Sequence, residues 1–123
     1  MIRTIALALA LSFAAMTPAF ADSAVVRWLD KQTGHAQDYA LPIGRAVHIG
    51  TLDLVARACT KSAPEEAPEV KIYVEVYDHP PPPAAGQPAP PRVEIFHGWL
   101  FASTPGLNAL QHPVYDIWAI DCR

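Results

Sequence analysis

The sequence predicts an all-β domain: a mostly antiparallel small sandwich or barrel of about seven strands, with one short helix before the last strand. Three observations carry this. Apolar residues recur with a period of two along most of the chain, residues with turn chemistry separate these runs, and a single cysteine pair ties the end of the chain to its middle. The protein has 123 residues, of which residues 1–21 read as an export signal, leaving residues 22–123 as one domain.

Arg3 forms the charged start of that signal, Ile5 to Ala15 its apolar run, and Ala19-Phe20-Ala21 the small residues a signal peptidase requires. The run is too short to span a membrane and Pro18 interrupts it, so the expectation is a cleaved signal, no membrane span and a periplasmic location. In such an oxidising compartment Cys59 and Cys122 are expected to form the one possible bridge. The chain has no C-x-x-C, and neither cysteine adjoins a histidine, which argues against a metal or redox pair.

Val26 and Trp28 alternate with Arg27 in a first strand, and Asp30-Lys31-Gln32-Thr33-Gly34 has hairpin turn chemistry. A second strand is expected near Ala36 to Leu41, followed by a turn at Pro42-Ile43-Gly44 and a third strand with Val47 and Ile49. After Gly50, Leu52, Leu54, Ala56 and Ala58 form one face of a fourth strand. Lys61 to Pro68 reads as a loop. Val70, Ile72, Val74 and Val76 then face one way, and Lys71, Tyr73, Glu75 and Tyr77 the other.

Residues 79–91 carry seven prolines. Proline has no N–H for a ladder, so this is a proline-rich loop of extended polyproline II character, either a stiff surface connection or a recognition ligand. Val93 and Ile95 open a sixth strand that runs into Gly98-Trp99-Leu100-Phe101. Thr104 as N-cap and Pro105 in the first turn predict the short helix, with Leu107 and Leu110 on one face and an end before Pro113. Val114 to Cys122 forms the last strand, with Val114 and Trp118 expected to face the core. Strict alternation would then put Cys59 on the side of Asp53 and Arg57, away from a core-facing Cys122. A bridge therefore requires a bulge, a strand end or a different face near one cysteine.

With 9 basic and 12 acidic residues the net charge is −3, and loss of Arg3 with the signal makes it −4. A mildly acidic chain without a basic run argues against a nucleic-acid binder.

The run Gly98-Trp99-Leu100-Phe101-Ala102-Ser103-Thr104-Pro105, with His112-Pro113-Val114-Tyr115-Asp116-Ile117-Trp118 and Asp121-Cys122, resembles an uncharacterised family of exported alphaproteobacterial proteins, domain of unknown function 2155. Leu29-Asp30-Lys31 with Thr33-Gly34, Gly50-Thr51-Leu52, Ala58-Cys59 and the Pro64-to-Glu69 loop are similar to it as well. The family pattern has Met at Leu100, Ser at His97 and Glu at Gln111, so His97 carries no family-wide role. The resemblance implies a compartment and an architecture, and it brings no activity, catalytic residue or cofactor.

For chemistry, Ser103, His112 and Asp116 have the residue types of a nucleophile, a base and an orienting acid, which would make a small periplasmic hydrolase. The chain lacks a G-x-S-x-G elbow and a glycine-rich oxyanion loop. The alternative is a structural clasp of Ser103, Thr104, His112, Asp116 and Trp118, with Asp116 hidden and accepting from backbone donors between Ser103 and His112. No histidine pair has the helical spacing of a zinc motif, so no metal and no cofactor are expected. The aromatic residues Trp99, Phe101, Tyr73 and Tyr77 are the candidate interaction residues, because aromatic side chains anchor interfaces. The preferred reading is a non-catalytic interaction or structural module whose partner is another envelope protein.

Overall fold

Alternation of apolar and polar residues produces seven strands in a computed structural model that describes residues 22–123. The expected export signal at residues 1–21 lies outside the described residues. The strands are β1 (Ser23–Asp30), β2 (Ala36–Pro42), β3 (Ala46–Ile49), β4 (Leu52–Lys61), β5 (Val70–Asp78), β6 (Val93–Phe101) and β7 (Tyr115–Cys122).

They form two antiparallel sheets, a smaller one ordered β2-β1-β7 and a larger one ordered β3-β4-β5-β6. The chain makes one hairpin, crosses at Ile43–Arg45, runs up and down through the larger sheet, and returns so that β7 pairs with β1. Asp30 shapes the first turn, its Oδ1 accepting the N–H groups of Gln32 at 2.8 Å and Thr33 at 3.2 Å.

The inner faces share one core. Val26 and Trp28 of β1 and Ile117 and Ala119 of β7 pack against Leu52, Leu54 and Ala56 of β4, Ile72, Val74 and Val76 of β5 and Leu100 of β6. These are the positions that period-two alternation selects on β4 and β5. On β7 the selection is inverted. Trp118 pairs with Arg27 on the outer face, and Ile117 and Ala119 face the core in place of the expected Val114 and Trp118.

Bulges explain how the cysteines meet. On β4, Ala56 pairs with Val74 but Ala58 with Tyr73, leaving Arg57 as an extra residue. Cys59 is thereby turned inward beside Ile72. On β7, Ala119 pairs with Val26 but Asp121 with Val25, so Ile120 is extra and Cys122 regains the inner face opposite Ala24. The two sheets are thus joined by the Cys59–Cys122 disulfide, with Cα atoms 5.8 Å apart.

No helix forms among the described residues, which corrects the helix expected after Thr104. Only one turn closes there, from Leu107 N–H to the Thr104 carbonyl at 3.0 Å. Gly106 inside the segment and Pro113 at its end leave too few residues to offset helix nucleation. The Asn108 side chain instead donates to the Trp99 carbonyl at 3.1 Å, over Gly98 of β6. Leu110 is buried and Leu107 is exposed, so the pair does not share a face.

The β3–β4 turn consists of Gly50 and Thr51, and Gly50 has φ of 60°. A Cβ built there would lie 2.6 Å from the Tyr115 hydroxyl, whose ring is stacked on His112 and cannot easily withdraw. Gly50→Ala should cost about 1–2 kcal/mol from the left-handed backbone alone, measurable as a lower midpoint in urea with an unchanged slope.

Candidate functional site

The three residues with hydrolase chemistry sit in three separate networks. Ser103 donates through its hydroxyl to Glu69 Oε2 and through its N–H to Glu69 Oε1 at 3.1 Å. His112 Nε2 faces Asp78 Oδ2 at 3.3 Å, while its Nδ1 accepts the N–H groups of Val114 at 3.0 Å and Tyr115 at 3.2 Å. Those two donors place the ring proton on Nε2 and occupy the nitrogen a general base would use. Asp116 Oδ1 faces Lys31 Nζ at 3.3 Å. No nucleophile–base–acid chain connects them.

The expected clasp also has a different centre. Asp116 and Trp118 lie on the outer face of the smaller sheet, so Asp116 is half-buried and ion-paired with Lys31 rather than hidden among backbone donors. The inversion of the β7 face accounts for this. The carboxylate that gathers the loop after β6 is Glu69, which binds Ser103 twice and accepts Val70 N–H at 3.0 Å. Thr104 contributes its carbonyl to Leu107. Lys31 fastens the far end of the same loop, donating to the His112 carbonyl at 2.5 Å. Asp116→Ala should therefore lower stability by only about 0–1 kcal/mol, the ordinary worth of a partly exposed pair, as thermal melts can check.

The Ser103 hydroxyl and N–H hold the Glu69 carboxyl below its usual range. A depressed carboxyl pKa contributes stability above its unfolded value and loses it as pH falls through the folded value. Melting temperature should fall on acidification below the ordinary glutamate range, and Glu69→Gln should melt lower at neutral pH with a flatter acid limb.

The candidate interaction residues, by contrast, are brought together. Tyr73 and Tyr77 of β5 and Trp99 and Phe101 of β6 all occupy the outer face of the larger sheet, because β5 pairs Lys71 with Phe101 and Tyr73 with Trp99. Tyr73 and Trp99 meet edge to face, with ring centroids 5.4 Å apart. Beside them Trp99, Phe101, Lys71 and Thr60 line an open depression of about 390 Å³. Further along the face, Arg57 is paired with Glu75 at 3.0 Å, and Tyr77 donates to Glu75 at 2.8 Å. Arg57 and Tyr77 hold the Glu75 carboxyl low, and the same bond raises Tyr77.

At the opposite end of this face Asp53 collects three donors: His48 at 2.8 Å, His79 at 2.8 Å and Arg92 at 3.1 Å. Burial would raise its carboxyl, but these hydrogen bonds outweigh burial and hold it low. Arg92 also lies over the Tyr77 ring, 3.7 Å from its centroid. His79 and Arg92 flank the proline-rich segment, so one carboxylate pins both of its ends. Sequence reasoning missed this node. Its one legible part is the two-residue turn at Gly50-Thr51, which sets His48 opposite Asp53. Among the described residues no group of three His, Cys, Asp or Glu side chains is arranged to hold a metal ion. His35 and His97 are exposed.

Comparison with known proteins adds the lineage. The family described as "Uncharacterized protein conserved in bacteria (DUF2155)" matches residues 24–122, nearly the whole described region. The chain belongs to this family. An uncharacterized protein of Rickettsia prowazekii (strain Madrid E) is 20% identical over 99 residues, covering 76% of this chain. The chain spans 56% of that protein's length. No solved structure gives a significant match. No helix among the described residues is long and apolar enough to cross a membrane.

Proposed function

We propose that this DUF2155 chain is a non-catalytic, exported interaction or structural module that binds another envelope protein through the outer face of its larger sheet. The observation that carries this reading is the convergence of Trp99 and Phe101 on one open depression, with Tyr73 set edge to face against Trp99 beside it. Half-buried aromatic side chains already fixed by their neighbours lose little entropy on binding, which suits them as anchors. The dispersal of Ser103, His112 and Asp116 into separate networks supports a binding role over hydrolysis. The inter-sheet disulfide and the apolar N-terminal run support export.

Site-specific photo-crosslinking in cells that export the protein tests this. A crosslinker at Phe101 should give a discrete adduct that Trp99→Ala diminishes, whereas one at Ala36 on the smaller sheet should not. Equal labelling from both positions would remove the reading. Export makes its own prediction: the mature chain should begin at Asp22 by intact mass, and periplasmic material that keeps residues 1–21 would contradict it.

A further inference from the structure

The chain carries both halves of a known recognition chemistry. One half is the connection between β5 and β6. It runs out through Pro80–Pro83, reverses at Ala84–Gln87, where Gln87 N–H reaches the Ala84 carbonyl at 3.1 Å, and returns through Pro88–Pro91. Residues 81–91 are exposed throughout, and residues 80–91 include no charged side chain. Its ends are held by the Asp53 node and by the bond from His79 N–H to the Thr51 carbonyl at 2.7 Å. Polyproline II backbone leaves every carbonyl unpaired and is stiff before binding, so little order is lost when it docks. Aromatic-lined grooves with a few donors are what read it. The other half is the depression beside Tyr73, lined by Trp99 and Phe101 with donors from Lys71 and Thr60. Lys71 is exposed, so its ammonium can donate to a strap carbonyl while staying in water.

Within one molecule the halves cannot meet. The strap begins at His79, and the depression lies level with Tyr73 to Lys71, about 20–27 Å back along β5 at strand rise. An arm from His79 to the turn at Ala84 reaches only about 16 Å in polyproline II. The occupant must come from outside.

We infer that the exported chain self-associates, the proline strap of one copy lying in the Trp99–Phe101 depression of a second. This inference rests on reading the aromatic face as an interaction surface, and it names the partner as another copy. Exchange of straps in both directions gives a closed two-fold dimer, with no free depression left to propagate a chain of copies.

The test uses residues 22–123 with the disulfide formed. Sedimentation velocity should show concentration-dependent dimers. Replacing residues 80–91 by a short glycine-serine link, or Trp99→Ala, should each weaken association at least tenfold while leaving the melt near wild type. Mixing the two variants should restore part of it, because an intact strap then meets an intact depression. A peptide of residues 79–92 should saturably shift the Tyr73 and Trp99 resonances of the strapless variant. Dimers that survive strap removal would overturn the inference, and so would a wild-type chain that stays monomeric, whether or not the peptide binds. A Phe101 crosslink to a different exported protein would survive that failure and leave the broader reading standing, whereas loss of every Phe101 adduct would remove both.

Discussion

Cys59→Ser should lower stability by about 2–5 kcal/mol, the usual cost of a native bridge lost from a small domain. The bridge spans 63 residues in sequence and joins β4 of one sheet to β7 of the other. On the chain-entropy account a closed loop of that length contributes about 4 kcal/mol by restricting the unfolded chain. Its position adds to this. β7 holds to its own sheet only through β1, and the residues that bring Cys122 inward follow a bulge where ladder bonds are interrupted. Without the bridge the last turn of β7 should fray first. Thermal melts of the variant and of wild type in reductant should coincide, well below oxidised wild type. Coincidence of all three curves would reject the expectation.

The strands were legible because burial of one face imposes period two, and β5 shows it without interruption from Val70 to Tyr77. Bulges were not. An extra residue such as Arg57 or Ile120 changes which face every later residue takes, yet it leaves no mark in composition. The misplaced face of β7 and the misjudged Asp116 both follow from that single blind spot. The tension between the two cysteines was its visible trace, since a bond between residues assigned to opposite faces demands a bulge on the way.

The helix expected after Thr104 shows a different limit. Thr104 and Pro105 do have start-signal chemistry, but a cap contributes about 1 kcal/mol and cannot by itself offset nucleation over so short a stretch. The aromatic face was readable as candidates, because Tyr73 and Tyr77 fall on the polar side of their strand; only the pairing of β5 with β6 places Trp99 and Phe101 beside Tyr73. Asp53 was unreadable as a node. Its donors His79 and Arg92 bracket a proline segment, and nothing local says that such a segment returns both ends to one carboxylate.

His112→Ala should destabilise the fold by about 2–6 kcal/mol, because it leaves two partly buried backbone donors without an acceptor at about 1–3 kcal/mol each. Those donors are the N–H groups of Val114 and Tyr115, at the point where the chain enters β7. The ring also stacks on Tyr115 at a centroid distance of 5.1 Å, and Tyr115 in turn packs against Trp28 of the core. Asp78 loses its neighbour as well, and its Oδ1 already lacks a partner. Asparagine supplies an acceptor oxygen but not the stacking surface, so His112→Asn should recover part of the loss. A hydrolase base would behave in the opposite way: His112→Ala would fold like wild type and lose turnover of an ester or peptide. Ser103→Ala separates the readings further. It removes one of the bonds to Glu69 and should shift the melt less than His112→Ala does, whereas members of a catalytic unit would fail together in activity and leave both melts unmoved.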